Sequence, residues 1–147
     1  MPTIHNLKLF VRTTTQMDGQ EGEPLRFIYT ARLLDEGGAY TLSYEEGEGE
    51  ERSRVSLSFR EEERKALLMR REGASAAEMR FAVGEEVASL YTVQGAGTLP
   101  LKIRAKRVEN TLTAAGGRLF LAYEIEIGGA TQQNTLEMTA KPIGEGE

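Results

Sequence analysis

Apolar and polar residues alternate with a period of two along most of this chain. Leu7, Leu9 and Val11 alternate with Lys8, Phe10 and Arg12. Leu25, Phe27, Tyr29, Ala31 and Leu33 alternate with Arg26, Ile28, Thr30 and Arg32. Val55, Leu57 and Phe59 do the same against Arg54, Ser56, Ser58 and Arg60. Further sets are Tyr40, Leu42, Tyr44; Leu101, Ile103, Ala105; Leu119 to Ile127; and Leu136, Met138, Ala140. Successive side chains of a strand point to opposite faces, so each set predicts a strand with one buried face and one wet face. Turn signals separate the sets: Asp18-Gly19, Gly37-Gly38, Gly47 with Gly49, Gly73, Gly84, Gly95 with Gly97, Gly116-Gly117 and Gly128-Gly129. Strands at short spacing with no helices between them imply an antiparallel sandwich or barrel. The sets near 4–16 and 24–35 are long. A long strand with one apolar face suits a curved sheet closed on itself, which removes exposed edges.

The stretch from Glu61 to Met79 is the exception. By intrinsic propensity it is the best helix in the chain. Gly73 interrupts it, however, and Ala66, Leu67, Leu68 and Met69 form a block rather than a helical stripe. The chain has 147 residues, which is the size of one domain. That single domain is expected to span residues 1–147, with an ordered core near 4–142 and an acidic Gly/Glu tail.

Composition removes several chemistries. With no Cys there are no disulfides, thiolate metal sites or Cys nucleophiles. His5 is the sole imidazole, and only Asp18 and Asp35 are Asp. Zinc and calcium sites need clustered ligands of those types. The expectation is no metal and no cofactor. The net charge is -5, which on average repels nucleic acid, so no nucleic-acid partner is expected. No apolar run approaches the roughly 18 residues of a membrane helix. The first residues lack the basic and apolar regions of a secretory signal. No membrane association and a cytoplasmic location are therefore expected.

The second half carries a recognisable order of residues. Met69-Arg70, Gly73 and Glu78-Met79-Arg80-Phe81 precede Gly84. Tyr91, Gly97, the strand Leu99 to Ala105, a Gly before Arg118, and Leu119-x-Leu121-x-Tyr123 follow, with Asn134 to Ala140 last. This order resembles the YwiB-like bacterial proteins, a family of unknown function, from about Leu7 to Lys141. The resemblance implies an all-β fold: a single antiparallel, lipocalin-like (calycin-type) barrel of about eight to ten strands with little or no helix. It also implies that Ala66–Arg71 and Ala76–Val83 form a hairpin instead of a helix, with a turn at Arg60 to Arg64. Val93 and Ala105 stand where family members often carry Thr. The family supplies no catalytic or ligand-binding residues to transfer.

Three constellations remain. Lys102, Arg104 and Lys106 form a basic row, while Glu124 and Glu126 share the polar face of a later strand. If these strands pair with their apolar faces together, paired residue numbers must sum to an even number. A sum of 226 sets Lys102 against Glu124; a sum of 228 sets Lys102 against Glu126 and Arg104 against Glu124. Either way the row is neutralised within the sheet. The tyrosines Tyr29, Tyr44, Tyr91 and Tyr123 lie on their strands' apolar faces, which in a barrel point to the lumen. They are the candidate ligand-binding residues. Phe10, Ile28, Leu34, Leu68 and Phe120 fall on otherwise polar faces and could meet a second copy. No catalytic residue is identified. The expected function is a non-enzymatic small-molecule-binding or sensing barrel. The alternative is a homo-oligomeric interaction module, and third an enzyme using Glu acid/base chemistry.

Overall fold

The computed structural model describes residues 2–143; the acidic tail expected at the C-terminus lies outside them. The chain runs up and down through eleven strands. They are β1 (Thr3–Met17), β2 (Gln20–Glu21), β3 (Leu25–Asp35), β4 (Ala39–Glu46), β5 (Ser53–Arg60), β6 (Glu63–Gly73), β7 (Ser75–Ala82), β8 (Glu86–Val93), β9 (Gly97–Asn110), β10 (Gly117–Ile127) and β11 (Ala130–Pro142). Each strand pairs antiparallel with the next, except that β2 is a two-residue spur on β1 and β3 pairs with β1 directly. β11 then pairs with β1 from Leu7↔Pro142 to Met17↔Gln132. That last pairing closes ten strands into a barrel.

Glu61 to Met79 is a hairpin of β6 and β7, as the resemblance implies and against local propensity. The tertiary reason is its two-sided pairing. β6 is held by β5 through Leu57↔Met69 and by β7 through Leu67↔Phe81. Leu67, Met69, Met79 and Phe81 then face the interior and are buried. A helix would satisfy the same backbone groups but would leave β5 and β8 each with one unpaired edge.

The inward positions form one continuous core. Leu7, Leu9, Leu33, Leu42, Leu57, Leu121 and Met138 are among its fully buried members. A bulge shifts the phase along β9. Ala105 pairs with Tyr123 but Arg107 pairs with Ala122, so Lys106 is the extra residue. The bulge turns Val108 and Asn110 inward where strict alternation from Leu101, Ile103 and Ala105 would turn them out.

The end of the barrel at the β3–β4, β5–β6 and β9–β10 turns is plugged. Asn110 Nδ2 donates to the Arg64 carbonyl at 3.2 Å, and Leu112 N–H donates to Asn110 Oδ1 at 3.1 Å. Arg64 Nη1 donates to the Leu112 carbonyl at 2.7 Å, and its guanidinium lies over the rings of Tyr40 and Phe59. Leu112 is thereby pressed into the core. Gly117 permits this turn: its φ is +129°, and a Cβ there would stand 2.1 Å from the Thr111 carbonyl oxygen.

Two strand pairs diverge. β3 and β4 pair only from Arg32↔Ser43 to Asp35↔Tyr40, and β7 and β8 only from Ser75↔Val93 to Ala77↔Tyr91. The ladder is therefore open beside Leu25–Ala31 of β3 and beside Glu78–Ala82 of β7.

At the opposite, unplugged end the β6–β7 corner is tied to β5. Ala74 N–H donates to the Arg52 carbonyl at 3.1 Å, and Ser75 N–H to Ser53 Oγ at 3.2 Å. Gly73 has φ +122°, and a Cβ there would lie 2.5 Å from the Arg52 carbonyl oxygen. Gly73→Ala is expected to lower stability by more than about 1 kcal/mol, read as a shifted urea midpoint with unchanged slope.

Candidate functional site

The unplugged end gathers the polar and aromatic groups that no other strand pairing uses. Alternation along β4 brings Tyr44 inward and buries it. On the neighbouring wall Tyr29 stacks on Tyr44, ring centres 4.7 Å apart, and Phe27 stacks on Tyr29 at 5.9 Å. From β10, Tyr123 meets the Phe81 ring edge-on at 4.8 Å. The Tyr44 phenol is pushed up by burial first, then by the Glu46 carboxylate; nearby Tyr29 and Tyr123 add smaller upward contributions. Burial raises the Tyr123 phenol to about 12, against a small lowering by Arg71. These hydroxyls stay protonated at neutral pH and act as neutral hydrogen-bonding groups.

Above the ring cluster, Arg71 of β6 forms an ion pair with Glu46 of β4. Both side chains are only partly exposed. The pair reaches across β5, on whose two sides Glu46 lies opposite Ser53 and Arg71 opposite Val55. Ser53, one of few buried polar residues, hydrogen-bonds Ser75 beside them. A cleft of about 950 Å³ opens here, lined by Glu46, Glu50, Glu51, Ser53, Arg71 and Tyr91 among others. Volumes in the range of a few hundred to a thousand Å³ are ordinary for small-molecule sites.

The four candidate tyrosines are thus not equivalent. Tyr29, Tyr44 and Tyr123 form the interior cluster beneath the rim, and Tyr91 lines the cleft itself. The interior below is occupied by side chains. What the sequence reading missed is Arg71, Glu46, Ser53 and Ser75. Their one signal was a charged residue at the end of an alternating strand, a signal that many surface residues share.

The basic row behaves as a sheet-face network. The observed register is the sum of 228: Lys102↔Glu126 and Arg104↔Glu124. Arg104 Nε donates to Glu86 at 2.7 Å and Nη1 to Glu124 at 3.1 Å. The Arg104 hydrogen bond holds the Glu124 carboxyl below its ordinary range. Glu61 is lowered chiefly by its hydrogen bond from Arg64. Neither is a proton donor at neutral pH. His5 sits in β1 opposite Leu33 of β3. Among the described residues no three of His, Cys, Asp or Glu gather in a metal-holding group. No helix among them is long and apolar enough to cross a membrane.

A family model described as a domain of unknown function, DUF1934, matches residues 10–138. A comparison with curated proteins finds no match. Among solved structures, the crystal structure of the ywiB protein from Bacillus subtilis superposes with a TM-score of 0.83 at 23% sequence identity. The alignment covers 96% of this chain and 94% of that one. At that identity the likeness establishes the barrel fold.

Tyr123 tests the inside–outside assignment. Tyr123→Ala is expected to cost roughly 3–5 kcal/mol as a large-to-small core change. Its hydroxyl makes no hydrogen bond among the described residues and is not an orphaned buried atom, so Tyr123→Phe is expected within about 0.5 kcal/mol of the parent at neutral pH. The alkaline limb separates the two further. Above pH ~10 the unfolded chain releases a phenol proton that the native state keeps to about 12. Stability therefore falls as pH rises through that window, and Tyr123→Phe is expected to flatten the fall in denaturation curves taken at successive pH values.

Proposed function

The chain belongs to the DUF1934 family, a domain of unknown function, and on that footing we propose that it is a non-enzymatic small-molecule-binding barrel with its ligand at the unplugged mouth. The observation that carries this reading is the half-buried Arg71–Glu46 ion pair standing over a tyrosine cluster beside a cleft of about 950 Å³. Half-buried ion pairs contribute little net stability, because desolvation offsets attraction. A guanidinium with one carboxylate partner retains donors for a second anion. The ligand chemistry that fits is a flat apolar body against Tyr91 and Val93 with one acidic group on Arg71, the single cation of a lining that also carries Glu46, Glu50 and Glu51. The Ser53 and Ser75 hydroxyls supply further hydrogen bonds at the cleft wall. Away from the cleft, Glu61, Glu62 and Glu124 are shifted down chiefly by hydrogen bonds from arginines, the wrong direction for a general acid.

The test uses 1-anilinonaphthalene-8-sulfonate, a flat apolar anion, titrated by fluorescence. Saturable one-site binding is expected, weakened roughly tenfold or more, about 1.4 kcal/mol, by Arg71→Met and by Tyr91→Ala. Arg54→Met, on the outer face of β5, is expected to leave it unchanged. Absent saturation, or binding indifferent to both rim variants, would remove the mouth as a ligand site.

A further inference from the structure

The outer wall formed by β3, β1, β11, β10 and β9 concentrates positive charge on a chain whose net charge is -5. One row of outward side chains runs straight across it. Arg26 lies opposite Arg12, Arg12 opposite Glu137, Glu137 opposite Phe120, and Phe120 opposite Glu109. At ordinary strand spacing that row is roughly 19 Å long. The adjacent row sets Phe10 opposite Thr139 and Thr139 opposite Arg118. Two grooves follow these rows, one of about 320 Å³ and one of about 680 Å³, and both are lined by Arg118 and Glu137. Together they make one track from Arg26 on β3 to Lys65 on β6. Its carboxylates are already engaged: Glu137 pairs with Arg12 at 2.9 Å and Glu109 with Arg107 at 2.9 Å. Among the described residues Arg26, Arg118 and Lys65 have no such partner.

We propose that this track binds single-stranded nucleic acid. Phosphates meet Arg26, Arg118 and Lys65, and a base stacks on the Arg107 guanidinium, which lies over the Phe120 ring at 4.9 Å. Guanidinium planes and aromatic rings are the platforms on which unstacked bases settle. Beside the track, the ammonium groups of Lys8 and Lys141 stand 5.7 Å and 5.5 Å from the centre of the Phe10 ring and add to the same field. Like charges face one another across the ladder, Arg12 against Arg26 and Lys8 against Lys141. Such pairs destabilise a sheet face, and an external polyanion relieves them. The net charge predicts repulsion of nucleic acid on average. Salt screens charges beyond about 8–10 Å, so the local track and not the sum decides. Other polyanions fit less well. An acidic peptide brings no flat ring to the Arg107–Phe120 platform, a duplex hides its base faces, and a bilayer surface does not enter a groove on a convex wall. The track shares no lining residue with the mouth.

Fluorescence anisotropy of a labelled oligouridylate of about twelve nucleotides tests this on the full chain. Saturable binding is expected, and three phosphate contacts predict a slope of about -2 in log affinity against log salt. Affinity therefore falls roughly sixteenfold between about 50 mM and about 200 mM salt. Arg118→Gln is expected to make that slope shallower by about 0.7. Arg107→Lys keeps the charge but removes the planar platform, so binding is expected to weaken roughly fivefold or more with the slope unchanged. Both side chains are exposed, and unchanged melting curves certify the two folds. Arg71→Met, at the mouth, is expected to leave oligonucleotide binding unchanged, which keeps this result separate from the dye titration. No saturation at the lowest salt, a duplex bound as tightly as the single strand, or indifference to Arg107→Lys would overturn the proposal. Capture by phosphatidylglycerol vesicles without binding of the oligonucleotide would also overturn it and assign the wall to a membrane surface.

Discussion

The pairing of β1 with β11 is the constraint on which this structure depends. It joins the two ends of the described chain, from Leu7↔Pro142 to Met17↔Gln132. Without it the ten strands would be an open sheet with two long edges and one apolar face exposed to water. With it, every alternating set acquires a definite inside. The closure entropy is large, because all the intervening strands must be in place before the two end strands can meet. Burial of the shared core offsets it, and that core draws on nearly every strand of the barrel.

Once the wall is closed, the informative places are those where the ladder departs from regularity. The bulge at Lys106 rotates the lower part of β9 and delivers Asn110 and Leu112 to the plug. The divergence of β3 from β4 lies beside the Tyr29–Tyr44 stack. The divergence of β7 from β8 leaves the Glu78 carbonyl to accept from the Ser89 hydroxyl in place of a ladder bond. The two ends of the barrel differ for the same reason. One is sealed by Arg64, which donates to the Leu112 carbonyl, lies over the Tyr40 and Phe59 rings and pairs with the exposed Glu61. The other ends in a partly exposed ion pair and a cleft.

The charged outer face shows how a suggestive motif can be consumed by the fold. Lys102 and Arg104 look like a basic patch in the linear chain. In the sheet, Arg104 alone engages Glu86 and Glu124, and Lys102 engages Glu86. Little field remains there for an external anion. Arg71 differs: it has one carboxylate partner, partial burial and an adjoining cleft.

The sequence by itself determined the all-β class and most inward residues, although Leu25 and Phe27 of one apolar set are exposed and Val108 and Asn110 turn inward against the alternation. A period of two is a direct geometric signature of strands, and each alternating set names its own buried face. It also determined the neutralised charge row, because matching apolar faces restricts the register to even sums. The strand identity of residues 61–79 needed the family resemblance, since local helix propensity opposed it. Tertiary structure alone decided which tyrosines cluster, where Lys106 breaks the phase, and that Arg71 meets Glu46. Those outcomes depend on stagger and twist accumulated around a closed wall, and on which strand pairs diverge. They join residues from strands far apart in the chain, for which alternation within any one strand carries no information.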